Sequence, residues 1–530
     1  MNNVQMIITI LTVLGALSPL LTFATLFQQT EWRFDRLREH LRHHGILNQL
    51  FGKIRPVLAL CLLLTDLFGL FALFNIIRSQ GEMAGLRPFI FLIHAHEFWL
   101  ALFILLGAVQ LAMGKHRFPV WTTKAVLIVT LSILMTTITS FIVTPVLILT
   151  PFILILQPFV VFCVWLILLP LDRFMKQRTF KKAETIRNQL TDVTVIGIAG
   201  SVGKTTTKEL LRCVLQDLSP VVTPEHINTE MGIANWLLQK SDSLLTTNHS
   251  LLIVEMGAYR IGEIALTCSF IKPTIAVMTA IGSDHLALFG SEESIVEANS
   301  ELLRSLPENG HAFLYGDNET TRNLQSRCHC SAVTIGTHEE CSLRSDFVEE
   351  TENGLRIGFK GEVYDIHLHG IHNVGNVILA IAVAQHFGIS NDRIREELLS
   401  FESLTHTFHV HHEHNVLLVD DTYNSSRLSI RAALHWASKR SERPRVLLLS
   451  DLLETGKKED EFLEELGKAA SSSVERVVMT SGKNVNAFER GFGKKVEILN
   501  DGTEPVSPKS LLLCLGRMPQ SAIKKLLPLS

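Results

Sequence analysis

The sequence predicts a multidomain protein in which an α-helical membrane bundle is followed by two α/β domains. Two observations support this fold class. The first 170 residues contain long apolar stretches without charges, whereas charged and apolar residues are mixed throughout the chain after Asp172. Beyond Val193, short β-branched runs alternate with helical patterns, which is typical of mainly parallel sheets with crossover helices. The length of 530 residues also suits about three domains of roughly 150 residues each.

Five apolar segments in the first part are long enough to cross a bilayer, which takes about 20 helical residues. They lie near residues 5–27, 56–77, 88–113, 125–143 and 146–169. Basic residues crowd the first and third loops and the stretch after the last segment, and such loops stay on the cytoplasmic side. The sequence therefore predicts a multi-pass membrane region, residues 1–170, with everything after it in the cytoplasm. Residues 171–190 form a basic connector that we expect to lie along the lipid headgroups.

Ionisable residues inside two of these segments are costly in a bilayer and are therefore often functional. Asp66 falls in the second segment, and His94, His96 and Glu97 fall in the third. Two interpretations stay open. The residues form a polar pocket for the headgroup of a lipid-linked substrate or a proton path, or a buried Asp–His hydrogen bond holds two helices together.

Composition argues against several classes of function. The net charge of −3, without a basic stripe, gives no indication of nucleic-acid binding. The eight cysteines are scattered, which fits a reducing compartment better than a disulfide framework. Cys328, Cys330 and Cys341 lack a fourth partner at zinc-finger spacing. A histidine run is compatible with a metal site or with a solvated edge strand, and it comprises His406, His409, His411, His412 and His414.

A glycine-rich loop follows the first β-branched run of the α/β part. Residues 197–207 read G-I-A-G-S-V-G-K-T-T-T and lead into a helical stretch. Glycines there let backbone amides approach a polyphosphate, and the helix N-terminus adds unpaired donors. Lys204 supplies a mobile charge, and Thr205 supplies a hydroxyl for Mg²⁺. The strict P-loop pattern would place glycine where Ile198 stands, so the spacing is G-x-x-G-x-x-G-K-T-T.

Two polar residues follow later strands of the same predicted sheet. Glu255 ends the run Leu251–Val254, and His285 follows the run Ile275–Ile281. Ligands in open α/β sheets bind at the carboxyl ends of the strands, and hard cations prefer carboxylate oxygen. We therefore expect Glu255 and His285 to join Thr205 at a magnesium site.

Eight motifs in order resemble the Mur ligases, most closely their D-alanyl-D-alanine-adding members. After the loop they are N-T-E-M-G at 228–232, E-M-G-A at 255–258, D-H at 284–285, L-P-E-N-G at 306–310, G-I-H-N-V-G-N at 370–376, D-D-T-Y-N at 420–424 and D-L-L-E-T-G at 451–456. They cover roughly residues 191–520. The resemblance implies a central P-loop ATPase domain at 191–404 and a Rossmann-like C-terminal domain at 405–530.

This resemblance also implies a ligase in which ATP phosphorylates a carboxylate and an amine then attacks the acyl phosphate. Its substrates would be a peptidoglycan or other cell-envelope precursor and an amino acid or dipeptide, at the inner membrane of a bacterium. Lys204, Glu255 and His285 would be catalytic, and Thr205, Glu255 and His285 would hold Mg²⁺. The implied ATP-binding residues are Gly200, Ser201, Val202, Gly203, Lys204, Thr205, Thr206, His372, Asn373, Asn376, Asp421, Tyr423 and Asn424.

The chain departs from the family at several positions. The usual carbamylated lysine corresponds to Asn299, the usual Gly-Arg pair to His406-Thr407, and a C-terminal Lys-Gly-Ser-Arg to residues 514–517, where only Arg517 is kept. The membrane region replaces the small domain that grips a UDP-sugar. Two alternatives therefore stay open: a ligase for a lipid-linked or poly-γ-glutamate-like acceptor, and a degenerate ATP-binding regulator within an envelope-synthesis complex.

Overall fold

The computed structural model describes residues 2–80, 87–113, 118–144, 146–246, 250–282, 286–422, 425, 427–450, 459–482 and 485–528. The chain consists of two compact units, Met1–Lys176 and Gln177–Ser530. The first unit is helical, and the second contains two β-sheets with helices around them.

The first unit is built from helices, most of them apolar. They are α1 (Asn2–Gln29), α2 (Phe34–His44), α3 (Ile46–Phe51), α4 (Arg55–Gln80), α5 (Arg87–Ala112), α6 (Thr123–Val143), α7 (Thr150–Ile155) and the start of α8 (Gln157–Gln189). Among the described residues, five helices are long and apolar enough to cross a membrane: α1, α4, α5, α6 and α8. Four of these correspond to predicted segments.

The fifth predicted segment, 146–169, is not one helix. A 3-10 turn at Leu147–Leu149 and the short helix α7 precede α8, which begins only at Gln157. Pro151 and Pro158 each lie in the first turn of a helix. Proline lacks the amide hydrogen that a continuing helix needs there, so each one marks a new start.

The second half of the predicted connector is the end of a long helix whose one face packs on the α/β part. Helix α8 runs through Pro170 to Gln189 without a break. In the second unit, Ala183 is fully buried and the Phe180 ring stacks on Phe270 with centroids 5.5 Å apart. The guanidinium of Arg187 donates to the carbonyl of Ile271 over 2.8 Å. Ala183 belongs to a core cluster of the second unit, and Phe180 packs against it. The expected position of the connector along the lipid headgroups stays a prediction.

The four ionisable residues noted in the second and third predicted segments form two pairs. His96 Nδ1 lies 2.9 Å and 3.1 Å from the two carboxylate oxygens of Asp66, and both side chains are fully buried. This contact joins α4 to α5 and agrees with the interpretation of a helix-holding pair. His94 and Glu97 pair within α5 over 3.1 Å, and the His94 side chain is exposed.

The larger sheet of the second unit has nine strands in the order β2-β3-β1-β4-β5-β6-β7-β8-β9. The strands are β1 (Thr194–Ala199), β2 (Val221–Val222), β3 (Leu251–Glu255), β4 (Ile275–Met278), β5 (His311–Tyr315), β6 (Ser331–Gly336), β7 (Leu343–Thr351), β8 (Gly354–Phe359) and β9 (Glu362–Ile366). β2 through β7 are parallel, and β7, β8 and β9 are antiparallel.

The smaller sheet has six strands in the order β10-β11-β15-β12-β13-β14. They are β10 (His409–Glu413), β11 (Val416–Asp421), β12 (Arg445–Leu449), β13 (Arg476–Met479), β14 (Glu497–Ile498) and β15 (Leu511–Leu515). Only the pairing of β10 with β11 is antiparallel among these described strands. Two-residue turns join β7 to β8, β8 to β9 and β10 to β11, and such short connections cannot make a parallel crossover. Both sheets are therefore mixed.

Helices of the second unit cover both sheets. The larger sheet is flanked by α9 (Lys204–Val214), α10 (Glu230–Gln239), α11 (Ser241–Thr246), α12 (Glu263–Ile271), α13 (Leu286–Phe289), α14 (Glu292–Arg304), α15 (Glu319–Asn323), α16 (Val374–His386) and α17 (Asn391–Leu399). The smaller sheet has α18 (Arg427–Ser438), α19 (Glu459–Ser473), α20 (Val485–Phe492) and α21 (Gln520–Leu526). β1 lies between β3 and β4, with Ile198 opposite Glu255 and Ala199 opposite Met278. The glycine-rich loop and Glu255 therefore emerge side by side.

Candidate functional site

Two glycines of the loop occupy backbone conformations that other residues avoid. Gly200 has φ of +135°, and a Cβ there would lie 2.1 Å from the Thr279 hydroxyl oxygen. Gly203 has φ of +85°, and a Cβ there would lie 2.4 Å from Asn376 Oδ1. Both positions therefore require glycine for conformation and for space.

The first amides of the loop are bound within the protein. Ser201 N and Val202 N both donate to the carbonyl of Ala280, over 2.8 Å and 3.1 Å, and Gly200 N donates to Asn299 Oδ1 over 2.8 Å. Gly200, Ser201 and Val202 thus use these amides to shape the loop, and their predicted contact with a nucleotide stays a prediction. Helix α9 begins at Lys204, and the first amides of any helix have no partner within it. These amides, near Thr205 and Thr206, are the donors that can face a phosphate.

Lys204 folds over the loop that precedes it. Its Nζ donates to the carbonyls of Gly200 over 2.7 Å and Ser201 over 3.0 Å. A flexible lysine in this position can exchange carbonyl oxygens for phosphate oxygens, which are more strongly negative. The Lys204 ammonium group therefore lies where it can bind a phosphate group.

The Glu255 carboxylate is the centre of a buried polar cluster. Thr205 Oγ1 donates to it, at 3.2 Å from Oε1 and 3.1 Å from Oε2, and Asn228 Nδ2 donates to Oε1 over 3.2 Å. Lys208 Nζ lies 3.4 Å from Oε2. The residue Glu255 is only 5% exposed. Sequence reasoning had assigned no role to Lys208 or Asn228, although Asn228 begins one of the quoted motifs.

The oxygen donors of this cluster suit a magnesium ion. A carboxylate and a hydroxyl meet next to the loop, and both are ligand types that Mg²⁺ prefers. Thr205 and Glu255 are thus brought together as predicted. The third predicted ligand, His285, lies outside the described residues.

Helix α16 packs its first turn against the loop helix. Thr207 Oγ1 donates to Asn376 Oδ1 over 3.1 Å, and Asn376 Nδ2 donates to Asn373 Oδ1 over 3.1 Å. His372 is partly buried, and burial lowers the pKa of its ring to about 4, so the ring is neutral at neutral pH. Its Nδ1 makes no hydrogen bond to a described residue. The structure therefore gathers His372, Asn373 and Asn376 beside the loop.

Phe408, which immediately precedes β10 of the smaller sheet, contacts the segment that contains His372. The Phe408 ring lies 4.9 Å from the His372 ring, and Phe408 N donates to Asp421 Oδ1 over 3.2 Å. Burial raises the pKa of Asp421 to about 6. Phe408 thus connects Asp421 to the His372 ring. Tyr423 and Asn424 lie outside the described residues.

The departures from the family have specific contacts. Asn299 Oδ1 accepts from Gly200 N, as described above, and Glu301 accepts from the amides of Gly262 over 2.5 Å and Ala265 over 2.8 Å. Glu297 pairs with Arg304 and Arg327 over 2.6 Å and 3.0 Å. The polar side chains of α14 near the loop are therefore engaged within the protein.

Within the histidine run, the His409 and His411 rings lie side by side, with centroids 4.7 Å apart. His406 Nδ1 pairs with Asp420 over 2.7 Å, and His409 Nδ1 pairs with Ser403 over 2.7 Å. The ranges that the structure describes contain no group of three or more His, Cys, Asp or Glu side chains that could hold a metal ion. Burial raises the pKa of Cys328 and Cys341 to about 11.

Comparison with known proteins identifies relatives of this chain. The model of the Mur ligase middle domain matches residues 198–384. The UDP-N-acetylmuramoyl-tripeptide–D-alanyl-D-alanine ligase of Synechocystis sp. is 30% identical over 320 residues, which are 59% of this chain and 68% of that protein.

Solved structures resemble about two thirds of the chain. MurF from Acinetobacter baumannii superposes with a TM-score of 0.59 at 22% identity, covering 66% of this chain and 80% of that one. MurF ligase from Thermotoga maritima, in complex with ADP, gives a TM-score of 0.57 at 25% identity, covering 66% and 82%. The chain therefore belongs to the Mur ligase family of ATP-dependent amide-bond-forming ligases, and it carries an additional N-terminal helical region.

Proposed function

We propose that this protein is a membrane-anchored ligase that joins a carboxylate to an amine on a cell-envelope precursor, at the inner membrane of a bacterium. One observation carries the proposal: Lys204, Thr205 and Glu255 meet at one glycine-rich loop, with Asn376 packed behind it. By analogy with its relatives, the substrates are a nucleotide-linked muramoyl peptide and D-alanyl-D-alanine.

The reaction needs two transfers. A carboxylate oxygen of the precursor attacks the γ-phosphorus of ATP, the bond to the β–γ bridging oxygen breaks, and ADP leaves. The amine then attacks the acyl carbon, and the C–O bond to phosphate breaks as the amide forms and the amine loses a proton. Charge on the transferring phosphoryl group is the main barrier, so positioned cations and amides supply most of the catalysis.

This chain provides groups for each need of the first transfer. Lys204 and the N-terminal amides of α9 would bind the phosphates. Thr205 and Glu255, with His285 as the expected third ligand, would hold Mg²⁺, which neutralises phosphate charge when bound. The neutral His372 ring with Asn373 and Asn376 would line the adenine side. Asp421, Tyr423 and Asn424 would reach the nucleotide from the C-terminal domain, 405–530, which would close over the ATP-binding domain, 191–404.

The membrane part of the proposal rests on the five long apolar helices of the first unit. Carbonate extraction of membranes tests it: an integral protein stays in the pellet at high pH, and a soluble or peripheral one is released. A reporter fused after Ser530 tests the expected cytoplasmic position of the ligase domains.

A second candidate keeps the chemistry and changes the acceptor to a lipid-linked or poly-γ-glutamate-like molecule. It is favoured by the helical unit with its buried Asp66–His96 pair, which occurs where relatives carry a UDP-sugar-binding domain. A third candidate, a degenerate ATP-binding regulator within an envelope-synthesis complex, is favoured by Asn299 bonding to Gly200 where the family has a lysine.

Phosphate release by the full-length protein in detergent separates these candidates. The leading proposal predicts release that requires both a soluble muramoyl tripeptide and D-alanyl-D-alanine, and that is lost in Lys204→Ala. The matched control is Lys495→Ala, because that lysine side chain is 92% exposed and remote in sequence from the loop. Release with lipid-linked acceptors alone favours the second candidate. Nucleotide binding without turnover on any acceptor favours the third.

A further inference from the structure

Lys208 is a buried cation one helical turn beyond Lys204. Its side chain is fully enclosed, and it is among the largest fully buried side chains of the described residues. Residues four apart lie on the same face of a helix, so both lysines project from one face of α9. Lys204 reaches the loop carbonyls, whereas Lys208 reaches toward β3.

The partners of Lys208 are carboxylates. Nζ lies 3.4 Å from Glu255 Oε2 and 3.5 Å from Glu209 Oε1, and the ranges that the structure describes give it no hydrogen-bond partner. The interaction is therefore mainly charge attraction. Removing an ammonium group from water is unfavourable by several kcal/mol unless a carboxylate compensates it. Glu255 is the more enclosed of the two carboxylates, with 7% of its side chain exposed against 13% for Glu209.

Glu255 is held from three directions. Thr205 donates from the loop helix, Asn228 donates to Oε1, and Lys208 faces Oε2. The two neutral donors alone would leave a buried carboxylate without a compensating charge. Lys208 supplies that charge and limits how far the carboxylate can turn away from Thr205.

We propose that Lys208 is a positioning residue that fixes the Glu255 carboxylate beside Thr205 for the metal that accompanies a nucleotide. This inference rests on the proposed function, because it assumes that Thr205 and Glu255 serve a magnesium ion. A purely structural lysine would support the packing of α9 on β3 and would affect nucleotide binding equally with and without metal.

Nucleotide binding by the full-length protein in detergent tests the proposal, with fluorescent ADP measured in Mg²⁺ and in EDTA. We expect Lys208→Met to reduce the enhancement by Mg²⁺ about tenfold, while affinity in EDTA changes less than twofold. Lys208→Arg should retain most of the enhancement, because it keeps the charge. Glu255→Gln should lose the enhancement, and adding Lys208→Met should cause little further loss, because the two residues act together.

Glu209→Gln is the matched control, since it removes the other carboxylate near Lys208 and leaves the Glu255 contacts in place. It should keep the enhancement. Lys208→Gln is a second neutral variant if the methionine variant does not fold, and melting temperatures report folding. The inference is overturned if Mg²⁺ enhances nucleotide affinity equally in wild type and in either folded neutral variant. It is also overturned if the variant loses as much affinity in EDTA as in Mg²⁺. A wild-type protein that binds no nucleotide in Mg²⁺ overturns the proposed function instead.

Discussion

Thr207 Oγ1 donates to Asn376 Oδ1 over 3.1 Å, and this buried hydrogen bond joins α9 to α16. The two residues are 169 positions apart in the chain. The same Asn376 side chain stands against Gly203 and is bonded to Asn373. One amide therefore connects the glycine-rich loop to the H-N-V-G-N segment. The phosphate and adenine ends of the proposed nucleotide site meet at this residue.

Asn376→Ala should weaken nucleotide binding about fivefold, because a net hydrogen bond is worth about 1 kcal/mol. Thr207→Val removes the same bond from the other side, so the double variant should lose little more than either single one. Titration with fluorescent ADP measures all three. Asn500→Ala, at an exposed position, is the control. Wild-type affinity in Asn376→Ala would mean that this contact does not support the site.

Gly203→Ala should abolish detectable nucleotide binding. A Cβ at this position combines a φ of +85° with a contact of 2.4 Å to Asn376, so the loop must shift. Gly388→Ala is a matched control, because Gly388 has a similar φ of +75° and no atom within 4 Å of the position that a Cβ would take. Both variants carry the left-handed strain of about 1 kcal/mol. Equal binding by the two variants would contradict the crowding explanation.

Much of this site was predictable because its signals are local. A β-branched run, a glycine-rich turn and a helix predict a phosphate loop, and the acidic end of β3 predicts Glu255 beside it, since parallel strands end at one edge. The structure brings Lys204, Thr205 and Glu255 together as expected. The helix starts at Pro151 and Pro158 also have a local signal, because proline favours the first turn of a helix. The prediction of one segment at 146–169 considered apolar composition alone and therefore missed them.

Other features depend on contacts between distant segments. In the sequence, Lys208 looks like an ordinary polar helix residue, and its full burial beside Glu255 of β3 is visible only in the fold. Asn299 lies 99 positions from Gly200, so its bond to the loop amide has no local signal. The sequence analysis did not predict the antiparallel strands β8 and β9, because it inferred mainly parallel pairing from the alternation of β and α patterns.

Asp421→Asn should change how thermal stability depends on pH. Burial raises the pKa of Asp421 to about 6 from an ordinary value of 3.8. A raised pKa means that the stabilising contribution is fully present below pH 3.8 and is lost as pH rises through about 6. Asparagine has no proton to lose, so the variant should gain about 1.4 kcal/mol relative to wild type between pH 5 and pH 8.

Melting of the nucleotide-free, full-length protein in detergent measures this difference. The variant's melting temperature minus that of wild type should be about 2 °C more positive at pH 8 than at pH 5. Asp501→Asn is the control, since Asp501 is exposed and paired with Lys525, which lowers its pKa. Its difference from wild type should be equal at the two pH values. The same flat result for Asp421→Asn would contradict the raised pKa.

Asn299→Ala should weaken nucleotide binding about tenfold and lower the melting temperature. Asn299 is buried and supplies the acceptor for Gly200 N over 2.8 Å. Without it, the loop amide is left unsatisfied, which costs about 1–3 kcal/mol. Glu297→Ala is a control on the same helix, because Glu297 is partly exposed and pairs with Arg304 and Arg327 away from the loop. It should keep nucleotide affinity within about twofold of wild type, because surface ion pairs contribute little. Binding by Asn299→Ala that matches this control would mean that Asn299 does not shape the loop.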